Sequence, residues 1–173
     1  MLLDDLECFK EMSGKYIIGE RNGKGKEYNY FNDELIFEGE YLNGKRSGKG
    51  KEFKNFNLFG YDKELVFEGE YLNGKRNGKG KEYYYDNTLK FEGEYLNGKR
   101  NGKGKEYYRY GKLKFEGEYL NGKKWNGKVY NCEGSLEFEI KDGKGKIKEY
   151  NDNGKLVFEG EYLNGKIFER KRI

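Results

Sequence analysis

The sequence predicts an all-β fold, an elongated single-layer array of about six to seven stacked antiparallel β-hairpins with a short N-terminal helix as cap. Three observations predict the array. A nine-residue segment, F-E-G-E-Y-L-N-G-K, recurs from Phe37, Phe67, Phe91, Phe115 and Phe158. Within it, polar and nonpolar residues alternate. Each copy ends in Asn-Gly, the pair that supplies the positive φ angles of a tight turn.

The segment reads as a first strand. In Phe67 to Tyr71 a period of two places Phe67, Gly69 and Tyr71 on one face and Glu68 and Glu70 on the other. Asn73-Gly74 supplies the turn, although a second pair, Asn77-Gly78, would allow a wider loop, so the register stays open. The returning strand, Lys79 to Tyr84, carries lysines that can face the glutamates. Glycines between the aromatic residues, Gly39, Gly69, Gly93 and Gly117, are expected to leave slots for rings from an adjacent hairpin. The structural repeat thus comprises Phe37, Gly39 and Tyr41, then Phe67, Gly69 and Tyr71, Phe91, Gly93 and Tyr95, Phe115, Gly117 and Tyr119, and Phe158, Gly160 and Tyr162.

Starts at 67, 91 and 115 define a 24-residue unit, while the unit from Phe37 runs 30 residues, its excess falling between hairpins. An earlier copy runs from Gly14 to Tyr28, a shortened one from Phe138 to Tyr150, and the last is cut off after its first strand. A lone hairpin is marginal in water, so each must bury its aromatic face against its neighbours. At ~9–10 Å per two-strand unit, the array is expected to extend roughly 55–65 Å. The array covers 14–173. Residues 1–13 are the exception: Leu2, Leu3, Leu6, Phe9 and Met12 recur at helical spacing and predict an amphipathic helix, either a cap on the array or a docking helix.

Composition narrows the function classes. The chain is 34% hydrophobic and 38% charged, yet its 17 Tyr and 12 Phe argue against disorder, which is poor in aromatics. A net charge of +4 is too small for a general nucleic-acid footprint, so nucleic acid is not an expected partner. Cys8 and Cys132 lack metal-ligand spacing and are expected as reduced thiols in a cytoplasmic protein. Residues 1–10 lack a secretory pattern, and no apolar run spans a bilayer.

Chemistry is sparse. The absence of histidine removes the commonest general base and metal ligand. Glu68 and Glu70 share a strand, recur in every unit and have lysines nearby, which suits solvated pairs better than a glycosidase dyad. G-K-R-S-G-K-G and its copies resemble phosphate loops but lack both the P-loop spacing and a following helix. No catalytic residue, metal, cofactor or small-molecule substrate is expected, and the chain reads as a non-enzyme.

The repeated F-E-G-E-Y-L-N-G-K-R-N-G-K-G resembles the MORN repeat, the membrane occupation and recognition nexus motif, through its aromatic-x-Gly-x-aromatic, Asn-Gly-Lys and Gly-x-Gly elements. The stretch from Lys105 to Phe115 is closer to the bacterial-type variant, and the likeness covers Gly14 to Lys166. The resemblance implies protein scaffolding, homodimerisation or attachment near membranes, and no catalytic residue. One departure stands out: Glu52, Glu82 and Glu106 occupy positions where many such repeats are apolar, which predicts looser or wetter packing.

Two surface features carry the expected binding role. Stacking would align Lys45, Arg46, Lys49 and Lys51 with Lys75, Arg76, Lys79 and Lys81, and with Lys99, Arg100, Lys103 and Lys105. Such a ridge would suit anionic lipid headgroups, or its charges serve only solubility and neutralise the strand glutamates. Tyr83, Tyr84, Tyr85, Tyr107, Tyr108 and Tyr110 either stack ligands or fill the core. Trp125 breaks a regular turn, as a partner anchor or as a plug for a local irregularity. The expected role is a protein-protein interaction or scaffolding surface, alternatively a peripheral membrane adaptor.

Overall fold

Period-two alternation has the predicted consequence in the computed structural model, which describes residues 7–11, 15–54, 63–151, 155–164 and 166–167. Every element described is a β-strand or its connection. The chain divides into two compact units, 1–87 and 88–173.

In the first unit, β1 (Glu7–Glu11), β2 (Lys15–Gly19), β3 (Gly23–Asn29), β4 (Leu35–Leu42), β5 (Lys45–Lys54), β6 (Glu64–Leu72) and β7 (Lys75–Tyr83) pair antiparallel in chain order. In the second, β8 (Leu89–Leu96), β9 (Lys99–Tyr107), β10 (Leu113–Leu120), β11 (Lys123–Tyr130) and β12 (Leu136–Ile140) do the same. A separate three-stranded sheet follows, of β13 (Gly145–Tyr150), β14 (Leu156–Leu163) and β15 (Lys166–Ile167).

The N-terminal helix is a correction. Residues 7–11 form strand β1, which pairs with β2 from Glu7↔Gly19 to Glu11↔Lys15. A short helix is marginal in water even with an apolar stripe, whereas pairing satisfies the open backbone edge of β2. The rest of the expected cap, residues 1–6 and 12–13, lies outside the described residues.

The register left open in the sequence is set by the first Asn-Gly. Leu72 faces Lys75 across a two-residue turn in which Asn73 and Gly74 have φ of 51° and 82°, the mirror-image turn whose twist matches its strands. Asn77-Gly78 instead lies in β7, where the register shifts between Gly69 and Tyr71. This bulge position carries a second function. The Oδ1 of Asn22 accepts from the amide of Asn43 at 2.7 Å, and that of Asn101 from the amide of Asn121 at 3.1 Å, each clipping the turn of the next hairpin. A backbone bond runs beside each clip, from Gly44 N to Arg21 O at 3.0 Å and from Gly122 N to Arg100 O at 2.8 Å.

Phe37, Phe67, Phe91 and Phe115 are fully buried. Phe37 receives its own hairpin's Tyr41 edge-on at 5.7 Å and the next hairpin's Tyr71 at 5.1 Å. In the second unit Phe91 receives Tyr95 at 5.6 Å and Tyr119 at 5.3 Å. Edge-to-face pairs contribute about 0.5–1.5 kcal/mol beyond burial. The glycine slots are real, but their occupants differ from expectation. A Cβ on Gly69 would lie 2.7 Å from the backbone of Gly80 and of Lys79 and 2.8 Å from the ring of Phe67, so the slot belongs to its own hairpin. Only on the returning strand does the neighbour's ring intrude: a Cβ on Gly25 would lie 2.9 Å from Tyr41.

Two stability outcomes follow from these contacts. Gly69→Ala meets unyielding backbone and should cost about 3 kcal/mol in urea denaturation, against about 1–2 kcal/mol for Gly74→Ala, where only the positive φ objects. Equal costs at the two sites would refute the close-approach account. At Ser47, the counterpart of Asn101, no turn clip to Asn73 occurs among the described residues. Ser47→Asn should therefore stabilise the chain by about 0.5–1.5 kcal/mol in the same assay, the net value of one hydrogen bond.

Candidate interaction surfaces

The twelve residues of the expected basic ridge separate into three groups, because alternation sends them to different places. Arg46, Arg76 and Arg100 face the aromatic side. Their guanidinium carbons sit 4.0, 3.9 and 4.0 Å over the rings of Phe37, Phe67 and Phe91.

Burying a guanidinium requires a counter-charge, and the unexpected glutamates supply it. Glu27 is buried; it accepts from Arg46 Nε at 2.8 Å and Nη2 at 2.6 Å and from the Tyr41 hydroxyl at 2.8 Å. Glu52 accepts from Arg76 Nε at 3.3 Å and Nη2 at 2.5 Å, from the Tyr71 hydroxyl at 2.7 Å and from Arg46 Nη1 at 3.4 Å. Arg76 Nη1 reaches Glu82 at 3.8 Å. The looser, wetter packing expected at Glu52, Glu82 and Glu106 is thus replaced by an ion ladder.

Glu106 is held differently. Lys124 Nζ lies at 3.1 Å, Lys114 Nζ at 3.7 Å and Arg100 Nη1 at 3.8 Å, and the Tyr119 hydroxyl donates at 3.2 Å. Burial pushes its carboxyl upward, but Lys124, Lys114 and Arg100 outweigh that and hold it down at about 2. Burial likewise opposes ionisation of Glu27 and Glu52, and their arginines overcome it, leaving both below the usual range. Tyr41, Tyr71 and Tyr119 are pushed far upward by burial and by their carboxylate partners. These groups are locked in one protonation state near neutrality, the reverse of what a general acid or base requires.

Lys49, Lys51, Lys79, Lys81, Lys103 and Lys105 lie exposed on the opposite face. Lys49 faces Glu70, Lys51 faces Glu38 and Glu68, Lys81 faces Glu68, and Lys103 faces Glu118. Lys105 Nζ meets Glu116 at 2.9 Å. These rows neutralise themselves, as strand alternation suggested.

Lys45, Lys75 and Lys99 form the third group. They stand at the hairpin tips, exposed, opposite Leu42, Leu72 and Leu96, and none has a carboxylate partner among the described residues. The leucines went unnoticed in the sequence. Leu42, Leu72, Leu96 and Leu120 are 41–56% exposed, and they share the face of the glutamates rather than of the rings. The in-phase recurrence of Tyr-Leu-Asn-Gly was the available signal.

The tyrosines divide between packing and exposure. Tyr83 and Tyr107 donate to Glu68 and Glu92 at 2.6 and 2.7 Å, and burial with Glu92 pushes Tyr107 up to about 12. Tyr108 is buried and donates to the carbonyl of Tyr130. Tyr84 is half-buried, while Tyr85 and Tyr110 are exposed in connecting loops. Trp125 is half-buried; it is the extra residue of the β11 bulge, and its carbonyl accepts from Gly143 N at 2.8 Å. Gly39, Gly93 and Gly117 occupy the strand positions expected of them, as does Gly160, paired with Ile147. The side chains of Phe158 and Tyr162 lie outside the described residues. No cluster of His, Cys, Asp or Glu fit to hold a metal occurs among the described residues, and no described helix is long and apolar enough to cross a membrane.

The ladder has a pH signature. Glu106 is held down at about 2 when folded, so its stabilisation is complete above the unfolded value near 4.5 and is lost as pH falls toward 2. The urea midpoint should decline over that window. Glu106→Gln should flatten the decline while lowering stability at pH 7, and an unchanged acid limb in the variant would disprove the assignment.

The sequence comparisons agree with this geometry. Residues 37–56, 67–89 and 91–111 match the family model of the MORN repeat, and each match opens on a buried phenylalanine and includes its Arg–Glu pair. No curated protein matches the chain. The MORN repeat is a non-catalytic repeat of protein and membrane interaction modules, and with three copies between Phe37 and Gly111 this chain carries that repeat.

Proposed function

We propose that the chain is a non-enzymatic scaffold whose hairpin array offers a repeated surface to a protein partner. The observation that carries this reading is the division of charge. Glu27, Glu52 and Glu106 are paired with cations and held ionised, and the outer rows of lysine and glutamate cancel. Among the described residues, the hairpin tips alone repeat an uncompensated feature. A surface that repeats its chemistry at a fixed pitch suits binding along its length better than chemistry at one point.

A second reading has its own observation. Each tip couples an exposed lysine to an exposed leucine, an arrangement that also suits the headgroup region of an anionic membrane. It would make the chain a peripheral adaptor.

Affinity capture from the native source with the full chain as bait, read by mass spectrometry, tests the scaffold. A protein should be enriched over a bait of equal charge and reordered sequence. Enrichment of nothing, together with sedimentation on phosphatidylserine vesicles that salt abolishes, would transfer the function to the membrane reading.

A further inference from the structure

The hairpin tips repeat more faithfully than the fold requires. In Leu-Asn-Gly-Lys, the Asn and Gly are explained by the positive φ of the turn. The Leu and the Lys are not explained by packing: Leu42, Leu72, Leu96 and Leu120 are about half exposed, and Lys45, Lys75 and Lys99 have no ionic partner among the described residues. Duplication alone is a poor account of their persistence. The connecting loops at the other edge have diverged completely, as Asn29 to Asp33, Asp86 to Thr88, Tyr108 to Gly111 and Asn131 to Gly134 show.

The register gives the tips a defined chemistry. Leu42 and Lys45 are directly paired, as are Leu72 and Lys75, Leu96 and Lys99, and Leu120 and Lys123, so each leucine lies beside a lysine on one face of the sheet. Inward from the tips the next rows alternate Glu and Lys and carry no net charge. The rim is therefore cationic and half apolar, and the rest of the face is neutral. A second copy of this rim would set lysine against lysine.

Spacing narrows the partner further. Within each unit consecutive tips are two strand spacings apart, about 9.6 Å. Seven residues of an α-helix rise about 10.5 Å, so a helix with an apolar residue at every seventh position meets consecutive leucines with a mismatch of about 1 Å. Acidic residues flanking that stripe would face the lysines.

We propose that the leucine–lysine rim of each unit is a docking surface for an acidic amphipathic α-helix of a partner protein. The proposal rests on the scaffold reading and names its contact surface. A fluid bilayer would use the charge and the apolar groups but not their spacing; a helix uses all three.

The test employs the full chain and a fluorescent synthetic peptide of ~21 residues, with Leu at every seventh position and Glu on both flanks, beside a scrambled peptide of the same composition. Anisotropy should show saturable binding at low ionic strength that weakens as salt rises. Scrambling should weaken it at least ~tenfold. So should the combined Leu42→Ser, Leu72→Ser, Leu96→Ser and Leu120→Ser chain, and so should Lys45→Glu, Lys75→Glu and Lys99→Glu, with circular dichroism unchanged because all seven sites are exposed. Equal binding of both peptides, no binding at low salt, or retention by both variants overturns the proposal. Binding to phosphatidylserine vesicles that the variants lose, with no peptide bound, overturns it in favour of a membrane. If native capture recovers the same protein with the leucine variant as with the parent, the rim is wrong and the scaffold stands; if neither recovers one, the scaffold itself fails.

Discussion

A buried guanidinium laid on a phenylalanine ring is the contact on which the rest of the repeat depends. Within each unit the phenylalanines are covered by residues of the same sheet. The edge of one tyrosine from each of two hairpins closes two sides of Phe37 and of Phe91, and Arg46 or Arg100 closes the third; Arg76 covers Phe67 in the same way. The arrangement buries a full aromatic side chain, worth about 1.5–3 kcal/mol, and creates a desolvated charge in doing so. Glu27 and Glu52 are the response, and their tyrosine partners use the same oxygens. Aromatic packing and ion pairing are thus one device. Neither would be stable alone: arginine without glutamate is a buried unpaired charge, and glutamate without arginine is a worse one.

The exceptional hairpin shows the dependence by substitution. In β11 the arginine position holds Lys124, the register loses one residue, and the position of Glu106 in the preceding hairpin is taken by Val129. Val129 pairs with Phe115, and Ile140 of β12 stands opposite Gly127, where earlier repeats have glycine opposite glycine. Both aliphatic side chains are buried. Where the carboxylate is gone, Ile140 stands in place of the glycine and branched aliphatics occupy the space. The Asp142-Gly143 turn, bracketed by the Lys141↔Lys144 bridge, then joins β12 to β13, the first strand of the separate sheet.

Strands, turns and the two faces were legible because each obeys a local rule: alternation for the faces, Asn-Gly for the turn. The ladder was less legible. Arg and Glu recur six residues apart in Arg46/Glu52, Arg76/Glu82 and Arg100/Glu106, but linear reading groups Arg46 with its lysine neighbours. The β7-type bulge changes the phase between Arg76 and Gly80, so counting along the strand does not show which face the arginine takes. Residues 7–11 misled for the converse reason. Their apolar spacing fits a helix, and the unpaired edge of β2, which decides the matter, is not encoded locally. Leu42 and its equivalents were passed over because a single exposed leucine needs no explanation.

That ordinary rule fails when the exposed leucine recurs at four hairpins in the same register. Interior positions of a repeat are held by packing and turn positions by backbone geometry, so their recurrence reports on stability alone. The tip leucine and lysine are held by neither, since replacing them would open no cavity and leave no carboxylate stranded. A half-exposed leucine also carries a standing cost in solvated apolar surface, renewed at each copy. What keeps a costly residue in phase with the fold, beyond the reach of the fold's own contacts, is an object outside the chain with the same spacing.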